Sequence, residues 1–210
     1  MINKKLIQYN HSSRNGQAIE YIVIHDTGNP RVGADAEAHY KYFNGGDRQA
    51  SAHYFVDDKQ ILQVVEDSQA SWHCGDGKGK YGITNQNSIG VEICVNGDYD
   101  KAVANAVELT KQLMGRYNIA PERVVRHYDA SRKTCPGAMS NNNWARWQAF
   151  KKALEVRTVT CTIDIKGTKF PGYLEGGRSY FGEGVAVVDV VRAISPTTTW
   201  DDKNRTAIIR

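Results

Sequence analysis

His25, His127 and Cys135 are the residues of this 210-residue chain whose types could do metal chemistry together. His25 closes the β-branched run Tyr21-Ile22-Val23-Ile24, and His127 closes a second short run, Val124-Val125-Arg126. Cys135 follows in the polar loop that ends Lys133-Thr134-Cys135-Pro136-Gly137. Two imidazoles and a thiolate are a zinc ligand set, and three protein ligands leave the fourth tetrahedral position to water, as a catalytic site requires. A plainer reading stands beside it: histidines at strand ends are commonly structural or surface groups, and a lone cysteine is commonly a small core residue. Spacing alone leaves both open. Glu92 adds a carboxylate to an otherwise apolar strand, which is costly to bury without a purpose. It shares its strand face with Ser88, Gly90 and Cys94, so the expectation is space for water beside a proton acceptor. The alternative is an ion pair with a nearby lysine or arginine.

The elements that must position these groups follow from hydrophobic period. Tyr21–His25 reads as a buried strand. Ala36, His39, Tyr40 and Phe43 recur at helical spacing until Asn44-Gly45-Gly46 stops them. His53–Val56 and Ile61–Val65 flank the turn Asp57-Asp58-Lys59-Gln60 as a hairpin, and a glycine-rich loop runs from Cys74 to Gly82. Ser88–Val95 alternates as a strand, with Ile89, Val91, Ile93 and Val95 on one side. Val103, Ala106, Val107, Thr110, Leu113, Met114 and Tyr117 mark a helix that Asp98 or Asp100 caps. Trp144, Trp147, Phe150 and Leu154 mark a closing helix. The expected fold class is therefore α/β, a mixed central sheet flanked by helices, over residues 1–155. From Val156 the pattern turns β-rich, with Gly167, Gly172, Gly176 and Gly177 as punctuation, so residues 156–210 read as a small β-rich second domain.

The runs Tyr21-Ile22-Val23-Ile24-His25, Ser71-Trp72-His73-Cys74-Gly75, Ser88-Ile89-Gly90-Val91-Glu92-Ile93 and His127 to Gly137 resemble, in order, the motifs of zinc-dependent N-acetylmuramoyl-L-alanine amidases. That group includes phage lysozyme-like amidases and peptidoglycan recognition proteins, and the resemblance covers about residues 18–155. It implies hydrolysis of the amide between the lactyl group of N-acetylmuramic acid and the L-alanine of the stem peptide, with Zn2+ held by His25, His127 and Cys135. Such an ion makes a nucleophile of water near neutral pH and polarises the scissile carbonyl. The resemblance also implies Glu92 as general base and Lys133 as a cation for the oxyanion of the tetrahedral intermediate. His53 stands where relatives carry a catalytic tyrosine, and either bonds to the intermediate or lines the groove. His73 and Trp72 are candidate contacts for glycan or peptide. Their plainer readings are a core-edge histidine bonded to backbone and an aromatic that is partly core. His39 reads as structural, and His11 as exposed.

Composition narrows the classes. At 40% hydrophobic and 24% charged residues the chain can bury a core. Its net charge of +4 is spread evenly over the two parts, a weak basis for binding nucleic acid. Cys74, Cys94, Cys135 and Cys161 have no paired spacing, so no disulfide framework is expected. No apolar run is long enough to span a membrane, and Lys4 and Lys5 are not followed by the apolar segment of a secretory signal. The expectation is synthesis in the bacterial cytoplasm and action at the cell wall after release through a holin-type pore, as for a phage or prophage endolysin. A bacterial autolysin and a non-catalytic peptidoglycan-recognition protein are the alternatives. Pro171-Gly172-Tyr173-Leu174 through Gly177-Arg178-Ser179-Tyr180, and Thr199-Trp200-Asp201-Asp202 to Ala207-Ile208, resemble over a short stretch the small stalk domains of the copper amine oxidase N-terminal type. A module appended to a wall hydrolase is expected to bind the wall and raise local concentration, with dimerisation, oligomerisation or packing as the competing role.

Overall fold

A computed structural model describes residues 2–155 in full and, within 156–210, the backbone of strands only. The chain divides into two compact units, Met1–Leu154 and Glu155–Arg210. The first is built on a six-stranded mixed sheet in the order β1-β5-β4-β7-β3-β8. Its strands are β1 (Ile2–Lys4), β3 (Tyr21–Asp26), β4 (Tyr54–Val56), β5 (Ile61–Gln63), β7 (Ser88–Ile93) and β8 (Val124–Arg126). All neighbours pair in parallel except β4 and β5, the expected hairpin. A separate antiparallel ribbon joins β2 (His11–Ser13) to β6 (Gln69–Ser71). His11 is thus half-buried in a strand rather than exposed in a polar terminus.

Strand alternation sorts the sheet into two faces. Ile22, Ile24, Tyr54, Ile89, Val91 and Ile93 point to one side and pack against α2 (Tyr99–Tyr117) and α4 (Asn141–Leu154). Ala102, Ala106, Leu109 and Leu113 of α2 meet them, as do Trp147, Phe150 and Leu154 of α4. Each fully buried aliphatic or aromatic side chain contributes about 1.5–3 kcal/mol. Asp98 caps α2 by accepting the Lys101 N–H at 3.2 Å, and Asn118 ends it in the left-handed region at φ 51°. On the opposite side α1 (Ala36–Asn44), capped by Asp35, covers Phe55, Leu62 and Val64. His39 stacks on Phe55 with ring centroids 5.1 Å apart, the structural part expected of it.

This second face carries the chemistry. His25 and Glu92 both point to it and are register partners across β3 and β7. His127 is not the last residue of a strand: it opens the short helix α3 (His127–Ser131). Asp129 turns the chain there, its carboxylate accepting the Arg126 backbone N–H at 2.9 Å and the guanidinium at 2.7 and 3.0 Å.

The second unit is a six-stranded sheet in the order β12-β11-β10-β9-β14-β13. It comprises β9 (Val159–Ile165), β10 (Thr168–Glu175), β11 (Arg178–Phe181), β12 (Val185–Ala186), β13 (Thr199–Asp201) and β14 (Thr206–Ile209). Neighbours pair antiparallel except β14 with β9. The expectations of wall binding and oligomerisation concern side chains that lie outside the described residues.

Candidate metal and catalytic site

His25, His127 and Cys135 are all buried, and they offer one ligand atom each within 4.8 Å of one another. Cys135 Sγ lies 3.8 Å from His25 Nδ1, and Glu92 Oε1 lies 3.9 Å from the same nitrogen. The loop after α3 holds Cys135 there. The Tyr128 N–H donates to the Cys135 carbonyl at 3.0 Å, and the Ala138 N–H donates to Asp26 Oδ2 at 2.6 Å, fastening the loop to the end of β3.

Two buried polar atoms at this point have no partner within the protein: His127 Nδ1 and Glu92 Oε2. An unpartnered buried polar atom costs about 1–3 kcal/mol, so orphans beside a thiol and a second imidazole fit a site that binds a cation. The donor set, two imidazole nitrogens and one sulfur, suits a borderline-soft ion such as zinc. Burial, with Glu92 adding to it, pushes the Cys135 thiol up to about 12. Burial and the neighbouring His73 and His127 rings push His25 well below its usual range. Both shifts describe the protein alone; a bound dication would stabilise the thiolate.

The other nitrogen of each candidate ligand histidine is engaged. His127 Nε2 lies 2.8 Å from Asp76 Oδ1. Asp76 sits in a 3-10 turn at Gly75–Gly77 that packs against α3, and a Cβ on Gly77 would fall on the Ala130 carbonyl oxygen. Partial burial raises Asp76, but hydrogen bonds from His127 and Ser131 outweigh it and hold the carboxyl below its usual range. His25 Nε2 lies 3.0 Å from His73 Nδ1, and His73 Nε2 lies 3.1 Å from Ser88 Oγ.

His73 is therefore not free to bind substrate through its nitrogens: both are spent inside the fold, and the ring is 9% exposed. The expected room for water over Gly90 is filled by this ring, since a Cβ on Gly90 would stand 2.6 Å from His73 Cγ. His53 is not brought to the ligand cluster either. It is fully buried, its Nδ1 receives the Gly90 N–H at 3.0 Å and the Ser71 hydroxyl at 2.7 Å, and its Nε2 lies 2.9 Å from the Gln69 carbonyl. Contact with a reaction intermediate is closed to it by that burial.

Glu92 is held up at about 8 by burial and the nearby Asp26, with Lys133 opposing. Lys133 is exposed and, with Trp72, His73, Asp76 and His127, lines a cavity of about 530 Å³. Trp72 is half-buried, its indole N–H donating to Ser12 Oγ at 3.2 Å, so part of the ring remains for a ligand in that cavity. Sequence reading did not single out Asp76, Ser88 or Asp26. Their only signals were a carboxylate between two glycines and small polar residues at strand ends, which are common in loops.

Residues 15–138 match the family model of N-acetylmuramoyl-L-alanine amidases. The chain belongs to that family. It is 43% identical over 136 residues to the amidase XlyA of Bacillus subtilis, covering 64% of this chain and 43% of XlyA. To the B. subtilis amidase CwlH it is 39% identical over 206 residues, covering 96% of this chain and 80% of CwlH. The chain thus spans less than half the length of XlyA and most of CwlH. Among solved structures, a mutant endolysin from B. subtilis superposes with a TM-score of 0.66 at 40% identity, over 73% of this chain and 98% of that one. The catalytic domain of XlyA gives 0.65 at 39% identity, over 73% and 99%. The mixed sheet flanked by helices is the amidase fold.

Proposed function

We propose that the chain is a zinc-dependent peptidoglycan hydrolase that cleaves the amide between the lactyl group of N-acetylmuramic acid and L-alanine. The observation that carries this reading is the convergence of His25 Nδ1, His127 Nδ1 and Cys135 Sγ beside the unpartnered Glu92 Oε2, in a member of a family described by that activity. His25, His127 and Cys135 would hold the ion. When bound, zinc supplies Lewis acidity, lowering the pKa of water toward neutrality and polarising a carbonyl.

The chain's own residues do the rest. Glu92 Oε2, free of protein partners, takes the proton from the attacking water and returns it to the departing alanine nitrogen. Lys133, at the rim of the same cavity, donates to the oxygen that gains charge as the carbonyl carbon becomes tetrahedral. Asp76 orients His127 by accepting from its Nε2, and Trp72 offers an apolar face to a sugar or stem peptide. Residues 1–155 form the catalytic domain. Residues 156–210 keep the enzyme on the wall, the part an appended module plays beside a hydrolase by raising local concentration. Among the described residues no helix is long and apolar enough to cross a membrane. The likeness to a B. subtilis endolysin supports a role in wall lysis, with passage to the wall through a holin-type pore as part of the same reading.

Mass spectrometry of digested peptidoglycan tests the reading. A free lactyl carboxylate paired with a new alanine amine is the expected product. Glu92→Gln should keep stoichiometric zinc and lose that product, and cleavage at any other bond would overturn the assignment.

A further inference from the structure

We propose that His73 is a positioning residue for the metal site, which fixes the tautomer and ring plane of His25 through a hydrogen-bond relay ending at the Thr84 carbonyl. The inference rests on the metal-site reading above and adds to it a cause for the orientation of one ligand.

The proton positions follow from donors and acceptors one at a time. Ser88 Oγ lies 2.5 Å from the Thr84 carbonyl oxygen, which has no hydrogen to give, so the hydroxyl donates there. With its proton committed, Ser88 Oγ accepts from His73, 3.1 Å away, and the His73 proton therefore sits on Nε2. His73 Nδ1 is then a bare lone pair. It accepts from His25 Nε2 at 3.0 Å, so the His25 proton also sits on Nε2. The consequence falls on the far side of the His25 ring: Nδ1 presents a lone pair toward Cys135 Sγ at 3.8 Å, ready for a cation. Unlike His127, whose outer nitrogen meets the charged Asp76, His25 is oriented by a chain of neutral groups.

The surroundings hold His73 in this pose from two further directions, and the ring planes suit the bond to His25. Asn85 Oδ1 accepts the backbone N–H of His73 at 3.0 Å and of Cys74 at 2.9 Å. The ring lies edge-on to His25, with centroids 5.2 Å apart and planes at 86°, the geometry in which an in-plane lone pair meets an in-plane N–H. Gly90 lets the ring lie directly on β7, since any Cβ there would stand 2.6 Å from its Cγ. A core-edge histidine bonded to backbone would need neither the ligand partner nor the glycine beneath it. Outer partners of metal-ligating histidines are worth about 10–100-fold in metal affinity.

The test has two readouts, neither of them catalytic. In the full-length protein stripped of metal, two-dimensional 15N–1H NMR through the ring couplings should show His25 and His73 neutral and protonated on Nε2. A His25 ring protonated on Nδ1 overturns the proposal without any mutation. Zinc affinity is then read by competition with a chromophoric chelator. His73→Phe keeps the ring's bulk but accepts nothing, and should weaken zinc binding about 10–100-fold. Ser88→Ala should weaken it less, because His73 keeps its place but loses the group that fixes its proton. Unchanged affinity in a folded His73→Phe protein overturns the relay. Failure of the wild-type protein to bind zinc at all would instead sink the metal site itself, which separates the two readings.

Discussion

Gly90→Ala places a single methyl group where the structure has no room for it. The new Cβ would stand 2.6 Å from His73 Cγ and 2.9 Å from Cδ2 and Nδ1. Carbon atoms pack at about 3.5–4.0 Å, so the ring must retreat by about 1 Å. His73 Nδ1 now sits 3.0 Å from His25 Nε2, and a shift of that size away from the strand takes the pair out of hydrogen-bond range. Overpacking of this kind costs about 1–3 kcal/mol, and the buried His25 N–H left without an acceptor costs about 1–3 kcal/mol more. Alanine recovers about 0.5–1 kcal/mol of strand propensity relative to glycine. The net loss is therefore about 1–5 kcal/mol. For a unit of this size each kcal/mol moves the melting temperature by roughly 2–4 °C, which gives a fall of about 2–20 °C. Thermal unfolding by circular dichroism, in chelator and in excess zinc, measures it. The zinc-induced rise in melting temperature should also shrink, because the variant binds the ion more weakly. A Gly90→Ala protein that melts with the parent and binds zinc equally would refute the packing argument and the relay together.

Three further outcomes are expected. Cys135→Ala should lose bound zinc by elemental analysis and melt at a lower temperature, since metal binding and folding share one free energy at such sites; a full equivalent of zinc would remove Cys135 from the ligand set. Lys133→Met should retain zinc and lower kcat by about a hundredfold or more with little change in KM, and a loss under threefold on soluble muropeptide would rule out the oxyanion role. Burial pushes His53 down to about 4, opposed by the Gln69 carbonyl and reinforced by the Arg14 guanidinium. Its folded pKa lies below its unfolded value of about 6.5, so its contribution is complete above that pH and fades as acid protonates the unfolded chain first. Between pH 7 and 4.5 in chelator His53 alone should lower the unfolding free energy by roughly 2–3 kcal/mol, and an NMR titration showing His53 charged at pH 6 would contradict this.

The ligand types and the elements that carry them were legible because each signal is local. Tyr21–Asp26 is a run of β-branched residues ending at a histidine, and α1 ends at Asn44-Gly45 because the sequence places a stop there. His25, His127 and Cys135 stood out by residue type as candidate ligands and Glu92 as a candidate base, but the family resemblance, not spacing, favoured those roles and the one for Lys133. The strands at 2–13 were not read, because three-residue edge strands carry too few residues to show a period. His53 and His73 were candidates for contact with substrate or intermediate, His73 with a core-edge histidine as the alternative; the nitrogens of both are engaged inside the fold, though His73 also lines the cavity.

What the sequence by itself determined is the set of groups with chemistry and the secondary structure beneath them, since both depend on residues a few positions apart. What only the tertiary structure decided is which nitrogen of each histidine faces the site. That choice rests on partners far along the chain: His25 meets His73, and His127 meets Asp76. No local pattern encodes it, because a proton's place on an imidazole is set by the hydrogen bond made at the other nitrogen, and only packing of the sheet against its loops brings that partner near.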